Sequence, residues 1–73
     1  PEDEILARER AAAAKALRHA ADAERIHAET LLRCVGGLDE AGKLEAYYRN
    51  LEALASADRF RARAEAIERG DAP

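Results

Sequence analysis

The amino-acid sequence predicts an all-α protein, an antiparallel two-helix hairpin that dimerises into a four-helix bundle. Nineteen of its 73 residues are alanine, and alanine with Leu, Glu, Arg and Lys, the strongest helix formers, dominates the chain. β-branched residues are scarce, which disfavours strands. Two adjacent glycines separate two long helical patterns, and a short connection makes successive helices antiparallel neighbours.

The first helix is predicted over about residues 4–35. Several acidic residues lie at its beginning, where their negative charges interact favourably with the positive end of the helix dipole. On a helical wheel one continuous stripe runs along this helix, and its middle is nearly all alanine, which lets a neighbouring backbone approach closely. The stripe consists of Leu6, Ala13, Leu17, Ala20, Ala21, Glu24, Ala28, Leu31 and Val35.

The turn is predicted at residues 36–39, within a single domain that covers residues 1–73. Gly36 and Gly37 should end the first helix, because glycine adopts the left-handed cap conformation without strain. Asp39 should cap the start of the second helix, with Glu40 in its first turn.

The second helix is predicted over about residues 40–69, and its apolar residues fall on two nearly opposite faces. One face carries Leu44, Tyr48, Leu51 and Ala55, and the other carries Ala53, Ala57, Phe60, Ala64 and Ile67. Either the helix breaks near Ser56 and a short third helix follows, or it continues and uses one face for the first helix and the other for a second subunit. We favour the unbroken helix, because no glycine or proline lies near Ser56.

Oligomerisation is expected from the small size of the chain. A core of this size supplies only about 3–5 kcal/mol unaided, and a single cysteine excludes an internal disulfide. We assign Leu31 and Tyr48 to the hairpin core, and Phe60 and Tyr47 to contacts with another molecule. The full set of predicted core or interface residues is Leu6, Leu17, Leu31, Val35, Leu44, Tyr47, Tyr48, Leu51, Phe60 and Ile67.

Charge and composition exclude several classes of function. The net charge is −3 with both signs mixed, which disfavours nucleic acid and anionic membrane surfaces as partners. No apolar run approaches the roughly 18 residues of a membrane-spanning helix. A lone thiol fits a reduced, cytoplasmic setting. With no nucleophile–base pair and no glycine-rich phosphate loop, we predict neither an enzyme nor a cofactor.

Two groups of polar residues are candidate sites. Glu24 and His27 have the Glu-x-x-His spacing of metal sites in four-helix bundles, and Cys34 could join them in a metal or redox site. A matching glutamate on the second helix is missing, and the simpler interpretation of Cys34 is a small buried hydrophobe. Arg59 and Arg63 share a face and could contact phosphate or an acidic partner, although a solvated helix end is the simpler interpretation.

We expect a non-enzymatic assembly or adaptor module that acts on its own copies and on an unidentified protein. One alternative is a small regulatory inhibitor that caps a partner, and another is a metal- or redox-responsive bundle. A third is a co-chaperone, because the predicted hairpin is similar in length and shape to the two-helix co-chaperones of type III secretion needle subunits. That likeness is one of shape, with some similarity around Tyr48, Asn50 and Leu51.

Overall fold

The computed structural model describes the backbone of residues 2–71 and the side chains of residues 3–71. Helix α1 spans Glu2–Arg33, a single 3-10 turn follows at Val35–Gly37, and helix α2 spans Glu40–Glu68. The helices pack against each other along an elongated molecule of 59 × 16 × 10 Å. The all-α hairpin is therefore confirmed, and α2 is unbroken. Over residues 2–71, neither helix has an apolar stretch long enough to cross a membrane.

The connection between the helices differs from the predicted one. Helix α1 ends at Arg33, two residues earlier than expected, and the Leu38 N–H closes the 3-10 turn by donating to the Val35 carbonyl at 3.1 Å. Neither Gly36 nor Gly37 has a positive φ, so the left-handed cap predicted here is wrong. The 3-10 turn bonds residue i to i+3 and reverses the chain with ordinary φ values, which removes the need for that cap.

Both ends of α2 carry defined caps. The Asp39 carboxylate accepts a hydrogen bond of 2.8 Å from the Gly42 N–H, which confirms the predicted N-cap. At the other end Gly70 has a φ of 84°, and the Asp71 N–H donates to the Ala66 carbonyl at 2.9 Å. These features form a Schellman cap, which needs a residue that tolerates the left-handed region.

The seam between the helices is made of alanine. Its most buried members recur largely at intervals of seven residues, which keeps one side of each helix towards its neighbour. They are Ala14, Ala21 and Ala28 on α1, and Ala46, Ala53, Ala57 and Ala64 on α2, each at most 6% exposed. Among the described residues, no large side chain is fully buried. The buried interior of the hairpin therefore consists mainly of alanine methyl groups and backbone, with Asn50 as its buried polar side chain.

Asn50 sets the register of the two helices. Its side-chain amide is buried and donates a hydrogen bond of 2.8 Å to the backbone carbonyl of Ala28. Because the helices are antiparallel, seven residues back from Ala28 on α1 and seven residues forward from Asn50 on α2 place Ala21 opposite Ala57. A slipped register would bury the amide without this acceptor, which is costly. This role of Asn50 was not predicted from the sequence.

The two faces of α2 are used in the reverse of the predicted way. The face with Ala53 and Ala57 packs on α1, while Tyr48 and its neighbours on the other face point outward. Tyr48 is 60% exposed, so its assignment to the hairpin core is wrong. Phe60 lies seven residues after the buried Ala53 and is half-buried, so it belongs to the side that faces α1. The alanine face of α2 packs on α1 because its small side chains let the two backbones approach closely, which increases the number of van der Waals contacts.

On α1 the predicted stripe is largely the side that faces α2. Ala21 and Ala28 are buried, and Leu17, Leu31 and Val35 are half-buried beside them. The stripe departs from the prediction at its beginning, where Leu6 is 45% exposed and Ala13 is exposed. Ile67, from the end of α2, is half-buried at this open end of the hairpin.

Candidate interaction surface

Helix α2 carries five large apolar side chains on the side away from the seam. Their spacing of three or four residues puts them along one side of the helix over a length of about 15 Å. We call this surface the outer stripe, and it consists of Leu44, Tyr47, Tyr48, Leu51 and Leu54, which are 38–61% exposed. Single exposed apolar residues are normal on a soluble protein, whereas a contiguous group of large ones marks an interaction surface.

Leu32 of α1 extends the outer stripe towards the turn. It lies four residues after Ala28, which is bonded to Asn50, and it is 40% exposed. Because the hairpin is antiparallel, residues on the corresponding side of α2 share this surface, and the register places Leu32 level with Ala46, next to Tyr47. The surface is thus formed by both helices at the end of the hairpin nearest the turn.

Charged residues lie just beyond both ends of the outer stripe. Glu40 and Lys43 precede it, and Asp58 and Arg61 follow it, with 3.7 Å between the Asp58 carboxylate and the Arg61 guanidinium. The stripe is therefore an apolar segment with one acid and one base at each end. These charges at the two ends of the outer stripe favour a partner that carries opposite charges at matching positions.

A polar groove of about 510 Å³ lies on the opposite side of the hairpin. Glu24 and His27 line it from α1, and Arg49, Glu52 and Arg59 are among the residues that line it from α2. The predicted pair Glu24 and His27 therefore does share one groove. Among the side chains of residues 3–71, however, no group of three or more His, Cys, Asp or Glu is placed to hold a metal ion.

Cys34 and the two candidate arginines are not brought together with that pair. Cys34 lies at the turn and is exposed, so its interpretation as a buried hydrophobe is wrong. Arg59 donates a hydrogen bond of 3.2 Å to the Ser56 hydroxyl inside the groove, whereas Arg63 is exposed and is not among the groove residues. The groove carries carboxylates as well as guanidinium groups, so it presents no concentrated positive charge.

Among the described residues, one ion pair joins the middle of α1 to the end of α2. The Arg18 guanidinium donates to both carboxylate oxygens of Glu68, at 2.5 Å from Nη2 and 3.3 Å from Nε. This hydrogen bonding lowers the pKa of Glu68 and raises the pKa of Arg18. Both side chains remain more than two-fifths exposed, so the pair contributes only modestly to stability.

Comparison of the chain with protein-family models, with curated proteins and with solved structures finds no match. The fold is that of a two-helix α-hairpin.

Proposed function

We propose that this chain is a non-enzymatic assembly module that acts by helix packing. Its outer stripe docks on helices of another protein molecule, a second copy of the chain first, to form a four-helix bundle. The observation that carries the proposal is the inverted distribution of apolar side chains. Alanine fills the seam of the hairpin, while Leu51 and Tyr48, which are 61% and 60% exposed, face outward.

The free energy available on the outside supports this proposal. Full burial of a Leu-sized side chain is worth about 1.5–3 kcal/mol, so covering the exposed half of each large residue contributes roughly 1 kcal/mol. The outer stripe and Leu32 together offer several such contributions. A buried alanine methyl contributes only about 0.8 kcal/mol, so the hairpin leaves much of its apolar free energy for a partner.

The composition of the outer stripe is also suited to a protein partner. Tyr47 and Tyr48 combine a large apolar ring with a hydroxyl group that can hydrogen-bond at the rim, and tyrosine is enriched at binding hot spots. We also propose a cytoplasmic setting, in which the exposed thiol of Cys34 stays reduced.

Sedimentation equilibrium over micromolar to millimolar concentrations tests the proposal with a matched pair of variants. Leu51→Glu places a charge in the outer stripe, and Ile26→Glu makes the same kind of change on the outward side of α1. The two positions are equally exposed, at 61% and 63%. We expect the wild type and Ile26→Glu to associate, and Leu51→Glu to sediment as the 8.0 kDa monomer.

Two results would contradict the proposed function. One is a wild-type chain that remains monomeric at millimolar concentration with full helicity. The other is an equal loss of association in Leu51→Glu and Ile26→Glu, because the contact would then not depend on the outer stripe.

A further inference from the structure

We propose that the outer stripe is covered by the outer stripe of a second copy, with the two α2 helices antiparallel about a two-fold axis. The two-fold axis lies level with the midpoint between Asn50 and Leu51 of α2. This inference rests on the proposed function and adds the geometry of the contact and the residues that select it. Three observations carry it: the surface area of the hairpin, the position of the stripe, and the charges at its ends.

The hairpin exposes more surface than a self-sufficient protein of its mass. Its solvent-accessible surface is 5527 Å². A folded monomer of 8.0 kDa exposes about 4,450 Å² on average, so the excess is about 1,100 Å². A stable interface buries about 800 Å² from each partner, and the excess therefore suffices for one such contact.

The outer stripe is short enough to be covered by its own copy. An antiparallel pair with its axis between Asn50 and Leu51 places Tyr47 of one chain opposite Leu54 of the other. Leu51 then lies beside the axis, next to the same residue of its partner. Because this axis maps residues 44–54 onto residues 47–57, the two stripes overlap over residues 47–54, a length of about 10 Å, and Leu44 lies just beyond that overlap.

The charges at the ends of the stripe select the antiparallel arrangement. Residues equally distant from the axis face each other across the two copies, and two such pairs have opposite charges. They are Glu40 with Arg61, and Lys43 with Asp58. A parallel arrangement would instead put each charge against its own copy, which is repulsive. Because of the two-fold symmetry, each favourable pair occurs twice in the dimer.

Charge exchange tests this geometry by sedimentation equilibrium. Lys43→Glu and Asp58→Lys, each alone, set like charges against each other at two symmetric places. We expect each to raise the dissociation constant of the dimer about tenfold, given the usual strength of exposed ion pairs. The double variant exchanges the two charges and should restore the constant to within about threefold of the wild type. Circular dichroism at the same concentration verifies that each variant is helical.

Cross-linking gives an independent readout of the axis. In a Cys34→Ser background, Leu51→Cys lies beside its own copy and should form a covalent dimer under oxidised glutathione, because disulfides need Cα atoms about 5.5 Å apart. Ser56→Cys in the same background lies on the side of the polar groove and serves as the matched control.

The possible outcomes separate this inference from the proposed function. Restoration by the double variant, together with cross-linking at position 51 alone, supports the two-fold geometry. A double variant that associates as weakly as the single ones would overturn this geometry, and so would equal cross-linking at positions 51 and 56. Neither of these results affects the proposed function, which fails only if association is independent of the outer stripe.

Discussion

Replacing Ala21 with leucine tests whether alanine is required in the seam. Ala21 is 2% exposed, and the register places it opposite Ala57, which is 1% exposed. Leucine adds three carbon atoms where the two backbones approach closely, so the helices must separate locally. Overpacking of this kind costs about 1–3 kcal/mol. In a domain of this size each kcal/mol lowers Tm by about 4–8 °C, so we expect a fall of roughly 4–24 °C.

The assay is thermal unfolding followed by circular dichroism at one fixed chain concentration, because association itself raises Tm. Ala23→Leu is the matched control. It lies two residues further along α1 on the exposed side, and alanine and leucine differ little in helix propensity. An Ala21→Leu variant that melts at or above the Tm of Ala23→Leu would refute the alanine seam.

Three further predictions concern single polar contacts. Asn50→Asp replaces the donor to the Ala28 carbonyl with a carboxylate and should destabilise the fold by about 1–3 kcal/mol at neutral pH. Stability should partly recover in acid, because the protonated carboxyl can donate a hydrogen bond. Urea unfolding at the two pH values measures both free energies of unfolding. Asp39→Ala should lower stability by about 0.5–2 kcal/mol through loss of the N-cap, while Asp39→Asn should retain most of it in the same assay. Because the hydrogen bond from Arg18 lowers the pKa of Glu68 in the folded state, the stabilisation from this pair should be present above the ordinary glutamate pKa and lost as the pH falls through the lowered value. An NMR titration of the Glu68 carboxyl should show the lowered pKa in the wild type and an ordinary pKa in Arg18→Ala, and equal values in the two proteins would exclude the assigned cause.

Local sequence signals predicted both helices and the N-cap of α2, but not the end of α1. Helix propensity determined both helices to within two residues of their ends, and the side chain of Asp39 caps the helix that follows it. The absence of glycine and proline near Ser56 correctly predicted an unbroken α2. Each of these features depends on neighbouring residues only, so the sequence contains the information directly.

The choice of packing face could not be predicted in the same way. Ranking side chains by apolar size assigns Tyr48 to the core, but the packing of two helices also depends on how closely their backbones approach. The face with Ala53 and Ala57 allows the close approach, and the bulky face is left for another molecule. The cue was present in the sequence as a recurrence of alanine at seven-residue intervals on both helices.

The candidate surface could be predicted from the sequence only in part. Tyr47 was predicted at a contact with another molecule, whereas Leu44 and Leu51 were placed with Tyr48 on the face assigned to the core, and the structure leaves all of them exposed. Asn50 was missed because its acceptor is the backbone carbonyl of Ala28 in the other helix, which only the register identifies. Its position seven residues before the buried Ala57 is the signal that could have found it.

An isotope-filtered NOESY experiment on a mixture of labelled and unlabelled chains tests the central claim most directly. It distinguishes contacts within one chain from contacts between two chains. We predict contacts between the methyl groups of Ala21 and Ala57 within one chain, and contacts of Tyr47 with Leu54 between chains. Contacts of Leu51 with α1 of its own chain, in place of contacts between Ala21 and Ala57, would contradict both the alanine seam and the outer stripe.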